Sequence, residues 1–456
     1  MALSRIWAAF ILVSIIVAAV RFVGVPADKE IFSQMVTGKL GDTIRVAGVV
    51  PGGGVTGSVV GSPAGGVTAS PGYRLQKADG IIGTCASAVT LAIGLIGIMA
   101  LFMGLVSIAE AAGGMRFLAR ITAPFFSKLF PDVPKGHPAM GHMVMNFSAN
   151  LLGLDNAATP FALKAMESLQ EINPDKTTAS NAQIMFLCLH QSGLQLIPVS
   201  VIALLAANQA SNPTDVFLPI VIATFVTTLA SMTIVAIRQR INLFQPAVLA
   251  WIGSLSVLIG ILVVYLRTLN SDGVQSFSRA FSSGLILFIF LLIVGVAWYR
   301  KVNIFDAFVQ GAKGGFDTAV RIIPYLVGML VAISMLRTSG TFEVIMAGLR
   351  HFFEAMGADP RFVDGLPTAL IKPLSSAGAR GMLVDTMRTF GTNSFAAHLS
   401  AILQGSSEST FYVAAVYYGS VAIRNTRYSI GAMLLADVVS ILSSIFLCYL
   451  FFGHLH

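Results

Sequence analysis

The chain has 456 residues, of which 55% are hydrophobic and 11% are charged, and its mean hydropathy is +0.80. Soluble globular domains carry roughly 25% charged residues, so this composition cannot supply a water-facing surface. It excludes a soluble protein and predicts an all-α polytopic membrane protein. The 29 Lys and Arg exceed the 21 Asp and Glu, which indicates cationic loops at a membrane rather than a nucleic-acid partner.

Uncharged runs long enough to enter a membrane recur along the chain. A helix that crosses the bilayer core needs about 20 apolar residues, and the runs predict about ten membrane-embedded elements. We expect the first run, between Arg5 and Arg21, to be retained as a span rather than cleaved as a signal peptide. The other uncharged runs lie at 80–109, 136–154, 177–214, 216–237, 241–266, 280–299, 322–336, 389–407 and 409–423, and an apolar run at 428–450 follows, with Asp437 inside it.

The order of these runs predicts two related halves. Residues 1–240 form the first half, 241–300 form linking transmembrane helices, and 301–456 form the second half. The 40–75 stretch, rich in Gly, Val, Pro and Ser at 46–72, is predicted to be a loop insertion, with a short β-hairpin as the alternative.

Each half contains two apolar segments that polar residues interrupt. The first pair lies within 138–160 and 363–381 and predicts re-entrant hairpins. The second pair, 190–198 and 404–412, predicts helices broken near their middle. Such paired interruptions indicate a transporter site, because unpaired polar groups in hydrocarbon survive only in a wet cavity or packed in protein. Parallel and inverted arrangements of the halves both remain open.

The polar residues of the interruptions are the candidate substrate-binding set. The alternative to this function is structural: the amides and hydroxyls could instead form hydrogen bonds that join helices to one another. Glu408 is the sharpest candidate, with Lys372 or Arg380 as its charge partner, although the pair could simply fix two half-helices together. The full set is Asn146, Asn150, Asp155, Asn156, His190, Gln191, Ser192, Gln195, Ser375, Ser376, Ser406, Ser407, Glu408, Ser409 and Thr410.

Three further features carry expectations of their own. Asp437, inside the last apolar run, is expected to pair with Arg424, Arg427 or Lys372. The tyrosines at 417 and 418 are expected in an aromatic belt at the membrane interface. The 303–321 stretch is expected to form an amphipathic helix that lies on the membrane surface.

The motifs of common enzyme classes do not occur in the sequence. It has no P-loop, no dinucleotide-binding turn, no zinc-ligand spacing and no nucleophile elbow. The three cysteines, Cys85, Cys188 and Cys448, are far apart, and His190 has no acid or thiol at ligand spacing. We therefore expect no enzyme, no cofactor and no metal site.

Several segments carry a resemblance to a known family. Residues 130–134, 150–160 and 194–198 resemble spore maturation protein A, whereas 311–316, 321–327, 373–379 and 404–413 resemble spore maturation protein B. The chain thus resembles a fusion of the two, both of the nucleoside-recognition Gate group. The membrane parts of concentrative nucleoside and ferrous-iron transporters are more distantly similar. The family mostly has Gly at the position of Asp155.

The resemblance implies a multi-pass protein of the bacterial inner membrane that binds and moves a small polar solute, nucleoside-like or otherwise hydroxylated. The site would lie between the two Gate repeats. The expected partners are this solute, the lipid bilayer, a coupling ion and further copies of the chain. The alternatives are a non-transporting scaffold and an ion channel or metal permease.

The basic loops predict the orientation of the chain. The 208–216 connection has no Lys or Arg, whereas 300–321 has four, and basic residues concentrate in cytoplasmic loops. Single cysteines placed at 208–216 should therefore react with an impermeant thiol reagent from outside the cell. Cysteines at 300–318 should react only after the membrane is opened, and the reverse pattern would overturn this orientation.

Overall fold

The computed structural model describes residues 2–24, 28–38, 80–151, 155–195, 197–269 and 271–455. The predicted insertion at 46–72 lies outside these ranges. Within them the chain forms helices and no β-strand. The first helices are α1 (Ala2–Gly24), α2 (Ile31–Thr37), α3 (Gly80–Ala111), α4 (Gly114–Leu129), α5 (Pro138–Leu151), α6 (Asp155–Glu171), α7 (Asn181–Ser192), α8 (Val199–Ala207) and α9 (Phe217–Gln239).

The remaining helices begin after residue 245. They are α10 (Pro246–Arg267), α11 (Ser271–Tyr299), α12 (Ile304–Thr338), α13 (Thr341–Ala355), α14 (Leu366–Ile371), α15 (Ser376–Phe390), α16 (Phe395–Gly405), α17 (Thr410–Val413) and α18 (Ser429–Phe452). A 3-10 turn at Pro360–Gly365 precedes α14, and a π-helical turn at Ala414–Tyr418 follows α17.

Among the described residues, five helices are long and apolar enough to cross a membrane. They lie in α1, α3, α9, α10 and α18. A sixth span is possible where α12 and α13 meet, because Leu326–Thr338 and Thr341–Ala355 pass the same criteria together but bend by 76°. These helices confirm an all-α polytopic membrane protein. The other predicted elements lie in α5, α7, α8, α11, α12, α16 and α17.

Helices α3 and α12 pack backbone against backbone in an antiparallel pair. A side-chain carbon added at Gly311 would lie 2.3 Å from the carbonyl oxygen of Met103, and one at Gly315 would lie 2.6 Å from that of Met99. Small residues four apart allow membrane helices to approach this closely, and the gain is van der Waals contact along both backbones.

The expected surface helix at 303–321 is wrong. Asn303 caps α12 through its side chain, and the helix then runs without interruption to Thr338. The glycines at 311 and 315 place this part of α12 against α3 instead of on the membrane surface. The sequence pattern of aromatic and charged residues did not reveal this contact, because the glycines that make it contribute nothing to amphipathicity.

The two predicted broken helices are confirmed and have the same construction. Helix α7 starts with a capping box of Ser180 and Gln183 and ends at Gly193, whose φ of 48° is left-handed. Helix α16 starts with a cap from Ser394 and ends at Gly405. At 1.5 Å per residue, such helices of about 12 residues reach roughly halfway through a bilayer core. Their second parts, α8 and α17, start after four or more non-helical residues.

The two broken helices enter from opposite ends of α18. Near the start of α18, the Gln239 side chain donates to the carbonyl oxygen of Asn181 and to the hydroxyl of Tyr428. Near its end, Cys448 donates to the carbonyl oxygen of Phe395. Since α7 begins at Asn181 and α16 begins at Phe395, the halves are inverted relative to each other. The sequence had left this open.

Each half also contains the predicted helix hairpin. In the first, His142 near the start of α5 lies 3.1 Å from the Ser168 hydroxyl near the end of α6. In the second, α14 and α15 are joined by the turn at 372–375. Arg337 of α12 donates from Nε to Oδ1 and from Nη2 to Oδ2 of Asp385 of α15, so the two form a bidentate ion pair.

The close packing of α3 on α12 predicts opposite effects for two neighbouring glycines. Gly311→Ala places a carbon against the α3 backbone and should cost about 1–3 kcal/mol. Gly314→Ala is the matched control, because a carbon there meets nothing within 4 Å, and it should be neutral or slightly stabilising. Thermal unfolding in detergent measures both, and equal effects would contradict the packing.

Candidate functional site

The breaks of the two broken helices lie against each other. The backbone N–H of Glu408 donates to the carbonyl oxygen of Gln191 over 2.7 Å. In return, the side-chain amide of Gln191 donates to the carbonyl oxygen of Glu408 over 3.3 Å. Unwound backbone inside a membrane protein must find partners of this kind, because hydrocarbon offers none. The two interruptions therefore form one site.

Asp437 of α18 connects both breaks. Its Oδ1 accepts from the Gln191 amide at 2.7 Å and from the Ser407 hydroxyl at 3.1 Å. Its Oδ2 accepts from the Thr410 hydroxyl at 2.7 Å. The residue is 5% exposed. A buried carboxylate is costly unless hydrogen-bonded, and three neutral donors lower that cost here.

The first-half amides surround a histidine. His190 Nδ1 lies 3.1 Å from both Asn146 Oδ1 and Asn150 Nδ2, so its tautomer decides which contact is the hydrogen bond. The Asn146 amide also donates to the carbonyl oxygen of Ala158 over 2.7 Å. These contacts join the hairpin formed by α5 and α6 to the end of α7.

The second-half hydroxyls surround Glu408. The Ser376 hydroxyl donates to Glu408 Oε2 over 3.3 Å and lies 2.8 Å from the Ser409 hydroxyl. Glu408 is half-buried, unlike Asp437. Its side chain also lies next to Gly193, where an added carbon would be 3.8 Å from Glu408 Cγ. Glu408 is thus the more accessible carboxylate of the site.

Lys372, at the tip of the second hairpin, donates to the carbonyl oxygen of Gln404. It lines a cavity of about 10 Å³ together with Asp437, which is about the smallest space that holds one water molecule. The structure thus places Lys372 and Asp437 in the wall of the same cavity, and their pairing, which the sequence analysis expects, stays a prediction. The pairing of Glu408 with Lys372 or Arg380 stays a prediction.

The other predicted site residues have different surroundings. The hydroxyls of Ser192, Ser375 and Ser406 are engaged within the protein: Ser192 donates to Leu189, Ser375 caps α15, and Ser406 accepts from Ser440. Gln195 is half-buried in the loop after α7. Asp155 and Asn156 form the first turn of α6, and their side chains lie outside what the structure describes. Among the described residues no three His, Cys, Asp or Glu gather as metal ligands.

Two features of the site depart from the sequence reasoning. Asp437 was not placed in the candidate set, although an acid inside an apolar run is itself a signal. The expected interfacial belt is wrong for the tyrosines, since Tyr417 and Tyr418 are 1% and 2% exposed. The Tyr417 ring packs edge-on against His190 with 4.8 Å between ring centroids. The π-helical turn at Ala414–Tyr418 changes which side chains face inward, and sequence periodicity does not predict it.

Fold and site together define a multi-pass membrane protein with two inverted halves, whose broken helices meet at one polar site. The model of the Gate family, described as nucleoside recognition, matches residues 92–237 and 319–424. The chain belongs to this family. Both matched segments contain one hairpin and one broken helix, whereas Asp437 lies beyond them.

Two relatives cover different parts of the chain. Over 166 residues it is 40% identical to spore maturation protein B of Bacillus subtilis (strain 168), covering 36% of this chain and 92% of the relative. Over 147 residues it is 41% identical to spore maturation protein A of the same organism, covering 32% of this chain and 75% of the relative. No solved structure matches the chain.

The contacts of Gln191 predict a clear stability difference. Gln191→Ala removes the donor to Asp437 and to the Glu408 carbonyl, so it should cost about 2–3 kcal/mol. Gln195→Ala, four residues later and half-buried, should change stability by less than about 0.5 kcal/mol. Thermal unfolding of both variants in detergent tests this, and equal losses would show that Gln191 does not hold the two breaks together.

Proposed function

We propose that the protein binds a small polar solute, nucleoside-like or otherwise hydroxylated, and moves it across the bacterial inner membrane. The solute would bind where the two breaks meet. The observation that carries this proposal is the reciprocal contact of Gln191 and Glu408 between inverted halves. Broken helices that meet in this way build the substrate sites of many secondary transporters.

The chemistry of the site supports a hydroxylated solute. It offers side-chain amides at Asn146 and Asn150, hydroxyls at Ser376 and Ser409, and a carboxylate at Glu408. Amides both donate and accept, whereas a carboxylate accepts from hydroxyl donors. Such a set suits a neutral solute with several hydroxyl or amide groups. The description of the family as nucleoside recognition agrees with this class.

The site must open before a solute can enter. The second hairpin lies against the break, with the carbonyl oxygen of Pro373 accepting from the Phe411 N–H over 2.9 Å. The Ser376 hydroxyl occupies the approach to Glu408 Oε2. The cavity behind this tip is about 10 Å³. A solute hydroxyl would therefore replace Ser376 at Glu408 as the hairpin tip moves away.

The same contacts favour a second candidate, a scaffold that transports nothing. Glu408, Asp437 and His190 each have partners inside the protein. A network that serves only to hold helices together would be partnered in the same way. The two functions differ in whether Glu408 exchanges its partner for a solute, so a charge-neutral substitution of Glu408 separates them.

Glu408→Gln is the decisive variant for the proposed function. It keeps the shape of the side chain and removes the charge that would accept solute hydroxyls. Wild-type protein in detergent should gain thermal stability from a member of a nucleoside and polyol panel, as any ligand specific for the native state provides. The variant should fold and lose most of this gain.

Glu354→Gln is the matched control, because Glu354 is exposed on α13. It should respond to the panel as the wild type does. A panel without any stabilising solute would favour the scaffold, and stabilisation by divalent ions instead would favour the metal permease. An unchanged response of Glu408→Gln would place the solute elsewhere.

A further inference from the structure

A small cavity lies between the tip of the second hairpin and α18. Lys372 from the tip and Asp437 from α18 both line it. Hydroxyl groups form the rest of its polar wall, from Ser406, Ser407 and Ser440. Both charged side chains are buried, with Lys372 5% and Asp437 5% exposed. A cavity of about 10 Å³ between them accommodates one bridging water at most.

This arrangement links a charge to the hairpin tip, the element that the proposed function requires to move. Asp437 is held by Gln191, Ser407 and Thr410, which stay with it as long as the two breaks stay together. Lys372 belongs to the hairpin tip, whose neighbour Pro373 is joined to the second break through Phe411. Removing one member of a buried pair leaves the other uncompensated, at a cost far above that of an ordinary hydrogen bond.

We propose that Lys372 is a tethered counter-ion of Asp437, and that a proton replaces it when the hairpin tip leaves the break. The ammonium carries its positive charge out with the tip. A hydrogen ion from the aqueous phase, relayed through water that follows the departing tip, binds one carboxylate oxygen and forms a neutral acid, so no unpaired charge stays behind. When the tip returns, the proton leaves to water and the ammonium of Lys372 again offsets the charge of the carboxylate across the cavity. As a coupling device this rests on the proposed function, whereas the exchange itself is measured without solute.

The surroundings of Asp437 favour a proton over a metal cation. Both carboxylate oxygens already accept hydrogen bonds, Oδ1 from two donors and Oδ2 from one. Hard cations take six or more oxygen ligands, and the donors around Asp437 are engaged in binding its carboxylate. A proton needs a single lone pair and no coordination shell, so the pocket accepts it without rearrangement.

Other titratable groups face Asp437 or its helix, and their contribution must be removed from any measurement. They come from the break, from α7 and from the two ends of α18, where Arg238 of α9 lies over Tyr428 and His398 of α16 stacks on Phe452. Lys372 lines the cavity with Asp437, and Glu408 lies in the second break. Cys188 donates to the carbonyl oxygen of Ser429 at the start of α18. The remaining buried groups are His190, Tyr417 and Tyr418.

Four full-length proteins test the exchange: the wild type, Lys372→Gln, Asp437→Asn and the double variant. Their thermal unfolding is followed in detergent between pH 5.5 and pH 8. Lys372→Gln leaves the carboxylate without its cation, so at pH 8 its Tm should fall by about 3 °C or more. Protonation of Asp437 relieves this loss, so stability should return as the pH falls. In the double variant the pH-dependent part should be absent.

The comparison cancels the other titrating groups, because all four proteins share them. Lys128→Gln, an exposed lysine of α4, is the matched control and should be unaffected at both pH values. A cysteine that replaces Leu374 reports exposure of the hairpin tip. At one fixed pH it should react several-fold faster with a soluble maleimide in the Lys372→Gln protein than in a protein that keeps Lys372.

Each alternative gives a different result. A Tm loss of equal size at pH 5.5 and pH 8 would show that no proton takes the place of Lys372 at Asp437, and it would overturn the exchange. Recovery by Na⁺ at constant pH, rather than by acid, would overturn the choice of a proton. A pH-dependent recovery with no solute response in the Glu408 experiment would retain the exchange and contradict transport.

Discussion

The structure depends on how two interrupted helices satisfy their backbones inside a membrane. A helix that ends in hydrocarbon leaves carbonyl and N–H groups without partners, each at a cost of several kcal/mol. Here the N–H of Glu408 donates to the carbonyl oxygen of Gln191, and the carbonyl oxygen of Glu408 accepts from the side-chain amide of Gln191. The inverted halves are therefore joined at the point where both helices are interrupted. The polar residues lie there because the interrupted backbones need hydrogen-bond partners.

The two carboxylates at this point have different surroundings, and this difference separates their roles. Asp437 is buried and accepts hydrogen bonds from donors on both breaks, so it holds the two breaks together. Glu408 is half-buried and accepts one long hydrogen bond from Ser376, so it can change partners at lower cost. In the sequence both residues are acids within apolar runs. The sequence alone therefore does not distinguish the carboxylate that joins the two breaks from the one that can exchange its hydrogen-bond partner.

Local signals predicted most of the fold. The polar interruptions at 190–198 and 404–412 located both broken helices, because small polar residues and glycines interrupt an apolar run visibly. The inverted orientation was not predictable, since it depends on which ends of α7 and α16 lie beside α18. The burial of Tyr417 follows from a π-helical turn, and the packing of α12 on α3 follows from absent side chains at Gly311 and Gly315. Periodicity carries neither kind of information.

The two hairpins differ in a way that bears on movement. The first is fastened to its broken helix by neutral groups, the amides of Asn146 and Asn150 against His190. The second carries the buried ammonium of Lys372, which lines one cavity with Asp437. Neutral hydrogen bonds can be exchanged for water or solute one at a time, whereas a buried charge cannot leave without compensation. Movement of the second hairpin is thus bound to the charge of Asp437, and movement of the first carries no such requirement.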